Sequence, residues 1–466
     1  VSTDFMDPDR VLAARCPVQS GRVPLYGPEF AADPAGLYAA LREYGPVAPV
    51  DLAPGVPAML VTSYDAALEV LRDPGTFPKD ARRWQESVPP DCPVLPIMMY
   101  RPNCRHADGT AHARLRAAVT DSLARVDLNW LRGHVERGAD TLIARFGPSG
   151  TADLVRDYAR ILPLLIFNEL FGCPPDIGDR LVEGMSGIFD TVDAKNSNEI
   201  LSGAVMELVA LKRREPAADV TSWLMAHPAE LTDEEVMHQI LTLQGAGTEP
   251  EQNLIANGLR LLLSDDRFAG DLSGGSLPVE DALDEVLWTD PPLANFGMTY
   301  PVQDLEFAGA HLPKDRPVVV SLAAANTDPS LTAEGRAGNR AHLAWSAGPH
   351  TCPAKGPARL IASVAIEKLL DTLPDMELAV PAHQLSWRPG PFHRALNSLP
   401  VRFPPVPVPV RPGGTPGDHG WNDGPPRLSS TPPASAFDPA PPASYEVVGT
   451  ASPRWWRSLK KWWHGE

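Results

Sequence analysis

The chain of 466 residues is poor in cysteine, short of positive charge and without a long apolar run. Its five cysteines (Cys16, Cys92, Cys104, Cys173, Cys352) are odd in number, scattered and never spaced as CxxC. That pattern excludes a disulfide framework and a thiol zinc site, and it implies a reducing compartment. Lys and Arg number 41 against 58 Asp and Glu, a net charge of −17, which argues against nucleic-acid binding through the body of the protein. No stretch approaches about 18 uninterrupted apolar residues. The first residues, VSTDFMDPDRVLAARC, hold no apolar leader segment. A soluble, cytoplasmic protein is expected.

Proline, in contrast, is abundant, with 52 residues unevenly placed. From Pro404 the chain reads PPVPVPVRPGGTPGDHGWNDGPP and continues in that manner. Such a segment is too poor in aliphatic residues to offset its ordering entropy. Residues 404–450 are therefore expected to form a disordered Pro-rich linker, with the folded domain over 1–403. The last residues, 451–466, end SPRWWRSLKKWWHGE. As a helix they place Trp455, Trp456, Leu459, Trp462 and Trp463 on one face, with Arg454, Arg457, Lys460 and Lys461 largely outside it. This suits a tethered amphipathic tail that binds a membrane surface, peripherally at its inner face, or a partner's groove. A terminus that stays unstructured or folds back on its own domain is the plain alternative.

Within 1–403 the periodicity is mainly α with small β-sheets. DPAGLYAALREYG and SYDAALEVLRD have helical spacing, with the strand AMLVTS between them. A long helix is expected from Thr232 to about Leu263. Thr232 and Glu235 carry the capping-box signature at its start, and Pro250 in its middle predicts a kink. RPVVVSLAAAN reads as a β-type run, and the sheets are expected around 45–62 and 298–325.

The chemistry concentrates in HLAWSAGPHTCPAKGPARL, residues 342–360. Cys352 stands there between a tight Gly348-Pro349 turn and the start of a helix, whose dipole would favour a thiolate. A buried structural cysteine is the plain reading of this loop alone. The wider pattern resembles the cytochrome P450 family, whose haem loop is written F-G-x-G-x-H-x-C-x-G. Trp345 stands for the Phe, Gly348 for the second Gly, His350 for the His and Cys352 for the axial cysteine, and Ala358-Arg359 match the helix that follows. TAHARLRAAV is similar to the family's helix H-T-R-L-R-x-x-V, and DLEFAGAHLPKDRPVVVSLAAANTDPS to its later signature. The resemblance implies the P450 fold, a haem b with Cys352 as ligand to its iron, and His112, Arg116 and His350 on the haem propionates. It further implies a monooxygenase that takes electrons from a ferredoxin and ferredoxin reductase. Substrate contacts would come from Asn295, Phe296 and Phe392, and Arg340, Lys355 and Arg359 could receive the ferredoxin.

Two departures from the family pattern bear on activity. In DALDEVLWTDPP, Glu285 keeps the first position of the E-x-x-R motif but Trp288 occupies the arginine position, leaving Glu285 to meet Arg336 alone. This loss resembles an actinomycete subfamily encoded in conservon operons beside a small GTPase. The central helix carries Ala246-Gly247-Thr248-Glu249-Pro250-Glu251 where the family has A-G-x-[DE]-T-T. Ala246 and Gly247 would leave room over the haem and Glu249 keeps the acid of the proton relay. The relay alcohol has become Pro250, with Thr248 as its candidate replacement. Thr299 stands where a third propionate-pairing arginine is usual, and Pro353 starts the helix after Cys352 with one backbone donor fewer. Two functions follow: a slow monooxygenase acting on an apolar small molecule, or a non-catalytic haem sensor or scaffold in a membrane-proximal complex with a small GTPase. Oxidation by peroxide is a third.

Overall fold

The computed structural model describes residues 21–189, 194–265, 268, 279–331 and 338–407. Arg336, the tail 451–466 and the linker beyond residue 407 lie outside them. The described residues form two compact units, one from the segments up to Gly172 and from Val209 onward, the other from Cys173–Leu208. In the smaller unit two helices cross closely at Gly184, where a Cβ would meet Ser197 O at 2.9 Å and Leu201 Cβ at 2.8 Å. Arg180 and Glu207 pair there at 2.6 Å.

The larger unit is mainly helical. The helices that place the site are α1 (Tyr64–Arg72), α2 (Gly109–Leu123), α3 (Leu128–Phe146), α4 (Ile161–Leu170), α5 (Asp233–Ser264), α6 (Val279–Thr289) and α7 (Lys355–Thr372). Helix α5 is central and packs against α4, α6 and α7. The Thr232 hydroxyl accepts from the Glu235 N–H at 3.2 Å, and the Glu235 carboxylate accepts from the Thr232 N–H at 2.9 Å, so the capping box is complete. The helix runs through Pro250 without interruption.

The strands in chain order are β1 (Val23–Pro24), β2 (Val47–Ala53), β3 (Val56–Val61), β4 (Thr151–Asp153), β5 (Leu305–Phe307), β6 (Ala310–Leu312), β7 (Val318–Val320), β8 (Glu377–Leu378) and β9 (Pro400–Arg402). The main sheet has the order β1-β2-β3-β7, with β7 parallel to β3 and Met59 opposite Val318. The Val-rich β7 is fully buried, as parallel pairing favours. The expected β-run over RPVVVSLAAAN stops at Val320. The Ser321 hydroxyl accepts from the Ala324 N–H at 3.0 Å and starts a helix over Leu322–Asn326. A second sheet, β4-β9-β8, joins three distant segments and was not expected from the sequence. Backbone pairing continues past Phe403, since the Val406 N–H donates to Gly147 O at 3.1 Å.

Candidate active site

Cys352 sits on the loop between a turn at Gly348–His350 and α7, which begins at Lys355 with Ala354 as its cap. Pro353 therefore precedes the helix and does not start it. The Cys352 N–H donates to Trp345 O at 2.8 Å, closing the loop on itself. Burial pushes the Cys352 thiol up, against the smaller opposing pull of the Ala354 N–H and Arg116. A metal cation bound at such a sulfur removes the proton outright.

The loop's path is set by α1. Gly348 has φ +68°, and a Cβ there would lie 2.3 Å from Leu71 O, so the end of α1 rests directly on the loop backbone. Ser346 stands at the family's first glycine position with φ 61° and ψ −174°, a region natural almost only to glycine. The sequence reading passed over this strained serine.

Helix α2 brings the expected imidazole and guanidinium to the same loop. The His112 and His350 rings meet at a tilt of 41° with centroids 4.2 Å apart. Arg116 donates to the carbonyl of Thr351, the residue before Cys352. His350 Nε2 lies 3.2 Å from Asp108 Oδ1, which fixes the ring. Burial, with help from His350 and Arg116, lowers His112 to about 4, so it is a neutral imidazole near pH 7. Its Nε2 is buried with no hydrogen-bond partner, as is the Trp345 indole nitrogen. Unpaired buried donors beside a guanidinium suit a carboxylate-bearing group.

Across α5, Leu243, Ala246 and Pro250 are more accessible than their buried neighbours Gln244, Thr248, Glu249 and Glu251. Their spacing of three and four residues makes one stripe. Ala246 is exposed, as an open face requires. Gly247 serves another purpose than the room expected of it: its Cβ position lies 2.0 Å from Phe167 Cζ, so its missing side chain admits the Phe167 ring of α4. The Thr248 hydroxyl donates to Gln244 O at 2.8 Å within its own helix. Glu249 forms an ion pair with Arg388 and accepts from Asn253 Nδ2 at 3.4 Å. Glu251 is fully buried, one carboxyl oxygen has no partner, and burial pushes its acid well above the usual range.

Two expectations change. Asn295 is fully buried, accepting from the Tyr38 hydroxyl at 3.0 Å and donating to Pro391 O at 2.7 Å, so it braces the scaffold and does not face a substrate. Phe296 and Phe392 do meet, edge to face at 6.5 Å. Arg359 is buried in ion pairs with Asp284 and Glu280, so it does not stand as a ferredoxin-docking cation, whereas Arg340 shares Asp284 at 2.9 Å and stays exposed. At the altered E-x-x-R position, Trp288 is buried against His342, with rings near-perpendicular at 5.7 Å. It donates from Nε1 to Asn339 O at 2.7 Å.

No protein-family model matches the chain. The chain is 32% identical over 391 residues to the cytochrome P450 monooxygenase PikC of Streptomyces venezuelae, covering 81% of this chain and 92% of that protein. It is 29% identical over 401 residues to the vitamin D(3) 25-hydroxylase of Pseudonocardia autotrophica, covering 82% and 96%. The solved structure of CYP154C4 from Streptomyces sp. ATCC 11861 matches at a TM-score of 0.75 and 30% identity, covering 82% of this chain and 98% of that one. These likenesses define the class as haem-dependent monooxygenases. The chain belongs to the cytochrome P450 family and is an oxidoreductase, and haem iron is the cofactor the family carries. Among the described residues no helix is long and apolar enough to cross a membrane.

Proposed function

We propose that the protein inserts one oxygen atom of dioxygen into an apolar small molecule, with haem b held by Cys352. Electrons would come from a ferredoxin and its reductase. The observation that carries this reading is the orphaned His112 Nε2, buried against His350 and next to Arg116 on the cysteine loop. Three residues from two distant segments thus converge on a place for buried carboxylates. Haem with a thiolate ligand supplies the activation of dioxygen. His112, His350 and Arg116 hold the propionates, while Trp345 and Gly348 keep the loop closed around Cys352. Ala246 shapes the open face of α5, Gly247 admits the Phe167 ring of α4, and the Phe296–Phe392 pair gives the site an apolar wall.

Glu249 and Thr248 are the candidate groups on α5 for moving protons. Both are engaged elsewhere, Glu249 with Arg388 and Thr248 with Gln244. Pro250 supplies neither hydroxyl nor N–H. Loss of a positioned proton donor costs about 10²–10⁴ in rate, so turnover is slow. The tryptophan at position 288 supports assignment to the conservon-associated subfamily, and the basic Trp-rich sequence of 451–466 supports a tail that reaches a membrane surface. The test is Cys352→Ala: it should lose the spectrum of a thiolate-ligated haem. A variant that keeps that spectrum overturns the assignment of the ligand.

A further inference from the structure

A buried cation with no ion-pair partner among the described residues lies near the cysteine loop. Lys79 lies in the segment between α1 and the helix Arg82–Ser87 and is only 9% exposed. Its Nζ donates to Met298 O at 3.1 Å, and no carboxylate pairs with it among the described residues. Burial lowers its ammonium to about 8, with Arg105 adding to that and Asp108 opposing it. Arg105, its cationic neighbour, is turned toward Phe296, with its guanidinium 4.6 Å from the ring centre and a bond of 2.9 Å to Ile97 O.

Asp108 is the acid that faces this group, and both of its oxygens are taken. Oδ2 accepts from the Lys79 backbone N–H at 2.7 Å, and Oδ1 meets His350 Nε2 at 3.2 Å. One carboxylate therefore links the Lys79 backbone to the adjoining His350–His112 pair, and the Lys79 ammonium charge is left over. A buried, unneutralised ammonium is costly unless an anion completes it.

The place of Lys79 gives that excess a meaning. Its Nζ contacts residue 298, next to Thr299, the position where the family resemblance expects a propionate-pairing arginine. Thr299 is fully buried, and both its N–H and its hydroxyl donate to Val318 O, at 2.9 and 3.3 Å. Both of its donors are thus engaged with Val318.

We propose that the Lys79 ammonium supplies the propionate-pairing charge that position 299 lacks, reaching from the neighbouring segment to one haem carboxylate. The inference rests on the haem reading above. It makes Lys79 a cofactor-binding residue with no counterpart among the motifs of the cysteine loop or α2.

The experiment follows haem transfer from the purified holoprotein to excess apomyoglobin. Lys79→Gln keeps a donor for Met298 O but removes the charge, and it should lose haem about tenfold faster, the size of one charge-assisted hydrogen bond. Its ferric–ferrous potential should fall, because a cation that opposes the ferric charge is gone. Lys79→Arg should hold haem nearly as wild type, with a shifted propionate bending band in resonance Raman. Exposed Lys314→Gln should change nothing. Equal haem loss and equal potential in Lys79→Gln and wild type would overturn the proposal and leave Lys79 a strut to Met298. Should Lys79→Gln not accumulate, an unshifted propionate band in Lys79→Arg overturns it equally. Wild type without a thiolate-ligated haem would instead defeat the haem reading itself.

Discussion

Arg388 and Glu249 form an ion pair between the hairpin-like segment at 387–396 and the middle of α5, with Glu249 almost fully buried. The acid expected to move protons is thus tied to a guanidinium from a distant part of the chain. Removing one partner of a buried pair leaves the other charge uncompensated, at about 3 kcal/mol. Arg388→Met should therefore destabilise the protein by about that amount in urea unfolding. The double variant Glu249→Gln/Arg388→Met should be less destabilised than the sum of the single changes. Additive losses would show that the pair contributes nothing as a pair.

Pro250 takes the place of the relay alcohol. Pro250→Thr restores a hydroxyl on the accessible stripe of α5 and should raise product formed per electron severalfold while lowering peroxide release. The ratio of product to peroxide measures it, and an unchanged ratio would show that the alcohol is not limiting.

Ser346 adopts a backbone conformation that glycine tolerates far better. Ser346→Gly should stabilise the protein by about 1 kcal/mol, read as a higher Tm. A lower Tm would mean that the entropy glycine adds to the unfolded chain outweighs the relief of strain.

Burial raises the Glu251 acid well above the usual range. A raised carboxyl favours the folded state at low pH, and that contribution is lost as pH climbs from the ordinary carboxylate range toward the raised value. Glu251→Gln should therefore raise Tm most at the alkaline end and flatten the dependence of Tm on pH. An equal effect at every pH would place the cause in packing, not in charge.

Much of this was legible locally. The capping box at Thr232 and Glu235 forms as its sequence suggests, and the Cys352 loop and the helix carrying His112 and Arg116, each a short stretch, lie against one another in the fold. Other features depend on what a distant segment brings. Asn295 looked available to a substrate until Tyr38 and Pro391 filled its hydrogen bonds. Gly247 looked like open space, but Phe167 occupies its missing side chain. Lys79 in a loop reads as a solvated charge, and only the packing of residues 298–300 and Asp108 around it makes it a buried cation. The strands of β4-β9-β8 are two or three residues each and have no periodicity to detect. The helix after Ser321 had a legible N-cap, but the β-branched run before it masked the signal.

The central claim is that Cys352 holds a haem iron through its thiolate. The carbon-monoxide difference spectrum of the reduced, purified protein tests it most directly. The account predicts a strongly red-shifted Soret band in wild type and its loss in Cys352→Ala. A wild-type protein with no such band, or with only the unshifted band of a haem whose thiolate is protonated or absent, would contradict it.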